Sequence, residues 1–201
     1  MRKALSFLFL LLVSGAALAA PVILVFGDSL AAGYGLARQQ AWPSLMESRL
    51  KDNGYPHVVV NASISGETTA GGRSRLPAAL TQHKPQIVII ELGGNDGLRG
   101  LPLNAMQDNL QTMIEASHKA GARVLLVGMQ LPPNYGLDYT KRFAASFAVL
   151  AKQHKTGLVP FLLEGFAENM DAYQADRLHP NAGSQPQMLE NVWKGLKPLL
   201  R

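Results

Sequence analysis

No cysteine occurs in the 201 residues, which removes disulfide scaffolds, thiolate zinc sites, iron–sulfur clusters and a cysteine nucleophile together. Any nucleophile must then be a serine, threonine, lysine or carboxylate. Charge is sparse. Asp, Glu, Lys and Arg make up 16% of the chain without a run of one sign, and removing Arg2 and Lys3 lowers the formal net charge from +5 to +3. That balance gives no electrostatic footprint for nucleic acid. Repeats, low-complexity segments and Pro/Ser-rich linkers are missing as well. With 47% hydrophobic residues, the chain has the size and composition of one folded domain.

The one long apolar run, Ala4 to Val13, follows Met1-Arg2-Lys3 and leads into small residues up to Ala20. A basic start, an apolar centre and the Ala17-x-Ala19 pair have the layout of a secretory signal, with cleavage expected after Ala19. The run falls short of the roughly 20 residues a spanning helix needs, which argues against a retained anchor. No Cys is available for lipid attachment. The expectation is a leader over residues 1–19 and a single domain over 20–201, exported to the periplasm or secreted, with no stable membrane insertion.

Beyond the leader, short β-branched runs alternate with longer helical stretches. The runs are Val22 to Phe26, Val58 to Val60, Ile87 to Glu91, Arg123 to Gly128 and Leu158 to Phe161, each nearly all apolar, as strands covered on both faces should be. Helices are expected over Trp42 to Asp52, Arg73 to His83, Leu103 to Ala120, Tyr139 to Lys155 and Gly183 to Leu200, with Gly, Pro or Asn near their ends. Five β-α units with right-handed crossovers imply a five-stranded parallel sheet inside a three-layer α/β/α sandwich. Ligands in such sheets bind beyond the carboxyl ends of the strands. There the sequence places Gly27-Asp28-Ser29-Leu30, Asn61 to Glu67, Gly93-Gly94-Asn95-Asp96 and Asp176 to Pro180.

Ser29 follows an apolar strand and a turn-permitting Gly, and precedes the small residues Ala31 and Ala32. Serine is a poor nucleophile until a base takes its proton and a third group orients that base. His179 and Asp176, three residues apart, can fill both roles within one turn. Acyl transfer also needs donors aimed at the developing oxyanion, and the N–H groups of Ser29 and Gly66 with the Asn95 amide would form three. These residues come from separate strand ends.

The four ordered blocks carrying Ser29, Gly66, Asn95 and His179 resemble the GDSL or SGNH hydrolases. Asn61-Ala-Ser-Ile-Ser-Gly66, Glu91 to Gly100 and Leu131-Pro-Pro-Asn-Tyr-Gly136 look like the family's periplasmic thioesterase, lysophospholipase and arylesterase members in Gram-negative bacteria, and the likeness spans the mature chain. It implies a flavodoxin-like sheet, a Ser29-His179-Asp176 triad, an oxyanion hole of Ser29, Gly66 and Asn95, and hydrolysis of fatty acyl thioesters, lysophospholipids and aryl esters without a cofactor. Glu67 departs from the Asp expected there. The Gly-x-Ser-x-Gly elbow of the α/β-hydrolases is absent, since Ala31 takes the last position.

Other fates compete for these residues. Ser29 alone could simply cap a helix. Asp28 and Asp96 read as loop-structuring carboxylates, Glu47 and Glu115 as solvated, and Asn61-Ala62-Ser63 as strand-end architecture despite matching a glycosylation sequon. His57, His83, His118 and His154 are expected to face water, which leaves only Asp176 and His179 at the rim and no metal site. The Leu, Pro, Tyr and Gly of Leu98 to Leu103 and Leu131 to Tyr139 are candidate acyl-chain walls, with Leu131 and Tyr135 the preferred lining residues. A monomer acting on a small acyl ester or thioester is the reading. The competitors are carbohydrate deacetylation by the same family and a ligand binder without chemistry.

Overall fold

The computed structural model describes residues 20–201; the leader expected over residues 1–19 lies outside them. Five strands, β1 (Val22–Gly27), β2 (Val58–Asn61), β3 (Ile87–Glu91), β4 (Arg123–Val127) and β5 (Gly157–Val159), pair in parallel in the order β2-β1-β3-β4-β5. Seven α-helices connect and flank them: α1 (Ser29–Ala32), α2 (Trp42–Asp52), α3 (Thr69–His83), α4 (Gly94–Leu98), α5 (Leu103–Lys119), α6 (Leu137–His154) and α7 (Gln185–Leu196).

The period-2 alternation of each strand builds two cores. Leu24, Phe26, Val88, Ile90, Val124 and Leu126 face α3, α5 and α6, while Ile23, Val25, Ile87, Ile89, Leu125 and Val127 face α2 and α7. The three-layer architecture is therefore as expected, and the direction of winding reverses between β1 and β3. That reversal opens a crevice at the carboxyl ends of those two strands.

Several boundaries differ from the sequence reading. Helix α3 starts at Thr69, not Arg73, because Thr68 caps it by accepting from Gly71 N at 3.4 Å. Gly71 and Gly72, which look like helix breakers, sit in tight packing: a Cβ on Gly71 would displace Glu67 Oε1, and one on Gly72 would displace Leu92 Cδ1. Strand β5 stops at Val159 because Pro160 has no N–H to continue a ladder. Strand β2 is a half-exposed edge and not a doubly covered strand. Helix α7 ends at Leu196 and tightens into a 3₁₀ turn over Lys197–Leu199 that accommodates Pro198.

The histidines also need correction. His57 is buried and shares a 2.8 Å hydrogen bond between its Nε2 and Gln86 Oε1. His83 and His154 are half-buried, and only His118 faces water as expected. Among the described residues, no helix is long and apolar enough to cross a membrane.

Candidate active site

Strand β1 runs out at Gly27, and the chain turns at once into the single-turn helix α1. Asp28 is its cap, its Oδ1 accepting from Leu30 N at 3.0 Å, and Gly33 closes it at φ +74° by donating to Ser29 O. Since Asp28 does the capping, Ser29 is not an N-cap serine, and its hydroxyl is free to face the crevice. Gly27 allows the turn no Cβ: one built there would lie 2.5 Å from Glu91 Oε2 and 2.9 Å from Ala31 Cβ.

The partner of Ser29 arrives from the loop before α7. His179 Nε2 lies 2.9 Å from Ser29 Oγ, and His179 Nδ1 lies 2.7 Å from Asp176 Oδ2. Asp176 Oδ1 also accepts the N–H groups of Leu178 and His179 at 3.0 Å each, a tight turn that holds Arg177 at φ +56°. These two backbone bonds, then the imidazole, hold the Asp176 carboxyl down at about 2. Tyr34 stacks on the imidazole with ring centroids 4.5 Å apart, and Gln174 Nε2 bonds the carbonyls of Tyr34 and Pro180 to lock the loop in place. Neither Tyr34 nor Gln174 was singled out by sequence, because each acts on the site through tertiary contact alone.

On the other side of Ser29 lie Gly66 and Asn95. Gly66 sits at φ +79°, a left-handed conformation that favours glycine. Among the described residues, the N–H groups of Ser29 and Gly66 have no protein acceptor. Asn95 faces the same crevice, but its amide is occupied: Nδ2 donates to Asp28 Oδ2 and to Glu67 O, each at 3.0 Å. Two of the three expected donors are therefore open, and the third must share a hydrogen or release an acceptor. Glu67, longer than the expected Asp, reaches over Gly71 to Arg75 Nε at 2.9 Å. Arg75 in turn donates to Ala62 O at 2.9 Å and stacks over Phe26, clamping the 62–67 loop at both ends.

Asp28 and Asp96 have the structural contacts expected of them. Asp96 accepts from Thr69 N at 2.9 Å and Thr69 Oγ1 at 2.5 Å, which ties α4 to α3. Asn61 donates to Ala31 O and Ser63 Oγ accepts from Gly27 N, so the sequon residues brace strand ends. Asp28 is nonetheless unusual. Burial pushes its carboxyl up to about 6, and burial also raises the Glu91 carboxyl beneath it, with the negative charge of Asp28 adding to the effect.

A cleft of about 690 Å³ runs from Ser29 and His179 between loops that follow β3, β4 and β5. Leu131 lines it. Tyr135 does not: it stands outside on a 3₁₀ turn, where its hydroxyl donates to Leu98 O at 3.0 Å. Of the expected Leu98 to Leu103 wall, only Leu98 reaches the cleft. Much of the apolar lining comes instead from Phe161, Leu163, Met170 and Tyr173, in the long loop after β5. The sequence signal for that wall is the apolar text of 161–163, of which only Phe161 falls within the expected strand. Among the described residues, no three His, Asp or Glu side chains converge on a metal site.

Comparison with known proteins places the chain in a family. The profile of the GDSL-like Lipase/Acylhydrolase family matches residues 25–184. The chain is 53% identical over 182 residues to Esterase TesA of Pseudomonas aeruginosa, covering 90% of each. It is 41% identical over 199 residues to Thioesterase 1/protease 1/lysophospholipase L1 of Escherichia coli K12, covering 99% of this chain and 94% of that one. Among solved structures, the psychrotrophic esterase EstA from Pseudoalteromonas sp., inhibited by monoethylphosphonate, superposes with a TM-score of 0.85 at 40% identity, covering 89% of this chain and 98% of that one.

Proposed function

This chain belongs to the GDSL-like lipase/acylhydrolase family, and on that footing we propose that it hydrolyses acyl esters and thioesters with Ser29 as nucleophile. The observation that carries the reading is the unbroken line Asp176 Oδ2, His179 Nδ1, His179 Nε2, Ser29 Oγ, with steps of 2.7 and 2.9 Å. Asp176 fixes the tautomer with hydrogen on Nδ1, so Nε2 presents a lone pair to the hydroxyl. Ser29 Oγ attacks the carbonyl carbon as its proton passes to Nε2. The oxyanion is received by the N–H groups of Ser29 and Gly66, with Asn95 turning one amide hydrogen toward it. The intermediate collapses as His179 protonates the departing alcohol or thiol, and water, deprotonated by His179, releases the acid from the acyl-enzyme.

An apolar cleft of this size beside polar donors suits fatty acyl thioesters, lysophospholipids and aryl esters more than acetylated sugars. The names of the two curated relatives point the same way. Every group the chemistry needs comes from one chain, which supports a working monomer. Residues 1–19 are read as a leader removed after Ala19, giving a soluble periplasmic enzyme, and N-terminal sequencing of the exported protein tests this. The hydrolytic reading is tested with a fluorophosphonate: wild type should be labelled at Ser29 and Ser29→Ala should not. Equal labelling of the two would end it.

A further inference from the structure

Behind the nucleophile lies a carboxyl group that the proposed chemistry leaves unused. Glu91 is the last residue of β3 and 3% exposed, and its Oε2 accepts from Asp28 N at 3.2 Å. Its side chain also meets that of Asp28, itself 2% exposed. Among the described residues, neither carboxylate forms an ion pair with a Lys or Arg side chain. Two dry carboxylates in contact cannot both ionise, so the pair holds a proton.

The hydrogen bonds decide where the proton sits. Asp28 accepts from Leu30 N through Oδ1 and from Asn95 Nδ2 through Oδ2, each at 3.0 Å, and a charged carboxylate is the better acceptor for both. Glu91 accepts from backbone N–H groups alone, Asp28 N at a longer 3.2 Å and Ala31 N, with no side-chain amide among the described residues donating to it. We infer that Glu91 is a positioning residue which, as a neutral acid donating to Asp28, fixes both the 27–30 turn that carries the Ser29 N–H and the acceptor that holds the Asn95 amide. The bare Cα of Gly27 belongs to the same device, since any Cβ there would press on Glu91 Oε2. The inference rests on the hydrolytic reading for its consequence, though not for the protonation itself.

Glu91→Gln keeps a donor toward Asp28 and an acceptor for Asp28 N, whereas Glu91→Leu keeps neither. In purified enzyme at pH 7, Glu91→Gln should hold kcat within about threefold of wild type, and Glu91→Leu should lower kcat about tenfold or more with KM nearly unchanged, as loss of aim at an oxyanion does. Infrared spectroscopy supplies a readout that needs no catalysis or Glu91→Leu folding: wild type should show a protonated carboxyl C=O band at pH 7 that Glu91→Gln lacks. Loss of turnover in Glu91→Gln to a tenth or less, or a band that is missing from wild type or survives in Glu91→Gln, would overturn the assignment. Phosphonate labelling of Ser29 reports separately whether the hydrolytic reading stands.

Discussion

Two aspartates flank Ser29, and their surroundings drive them in opposite directions. Asp176 is exposed on a surface loop, accepts two backbone N–H groups and an imidazole, and is held down at about 2. Asp28 is sealed against Glu91 and pushed up to about 6. Residue type is shared, so environment alone separates them. The exposed member belongs to the half proposed to transfer the proton, whose hydrogen bonds are already in place. The buried member belongs to the half proposed to receive the oxyanion, where the Asn95 amide is tied to protein acceptors. On the proposed mechanism, nucleophile activation is preformed, while oxyanion stabilisation has to be completed by the substrate.

That contrast can be broken at either end. The largest effect belongs to the assembled half: Ser29→Ala should lower kcat by about 10⁴-fold or more in an ester hydrolysis assay. Asn95→Ala follows, with an expected loss of about 10²–10³ in kcat. An unchanged kcat would remove Asn95 from the oxyanion site. Leu131→Ala enlarges the cleft wall without touching either half, and should shift the ratio of kcat/KM between long and short acyl esters by about tenfold. Tyr135→Ala, outside the cleft, should leave that ratio alone.

The smallest effects are those of pH on stability, and they have opposite signs. The Asp176 carboxyl is depressed in the fold, so its contribution is complete above the unfolded value near 4 and is lost as pH falls toward 2. The Tm advantage of wild type over Asp176→Asn should shrink over that window. The Asp28 carboxyl is raised, so the folded state binds more protons than the unfolded between about 4 and 6, and stability falls as pH rises through that range. The Tm of Asp28→Asn relative to wild type should climb over the same interval and then level off. Parallel curves for the two variants would mean the aspartates are not distinguished by the fold.

Much of this was legible in the chain itself. Strand β3 and helix α2 fall on the expected residues, because an uninterrupted apolar run between turn residues and a Trp-Pro helix start leave few alternatives. Ser29, Asp176 and His179 stand out because their chemistry requires one another. What could not be read depends on which atoms lie across a gap. Gly71 and Gly72 look like breakers until Glu67 and Leu92 are seen pressed against them. Tyr135 has the right composition for a pocket wall, yet its hydroxyl is drawn to the Leu98 carbonyl. Glu91 reads as the end of a strand, and only the meeting of β1 with β3 at the switch point sets its carboxyl beneath Asp28.

The most direct test is a crystal structure of the enzyme with a phosphonate bonded to Ser29. The charged oxygen should lie about 2.7–3.1 Å from Ser29 N, Gly66 N and Asn95 Nδ2, with Asn95 having shared or released one of its present acceptors. An oxygen turned away from all three, with Asn95 still bonded to both Asp28 and Glu67, would contradict the account.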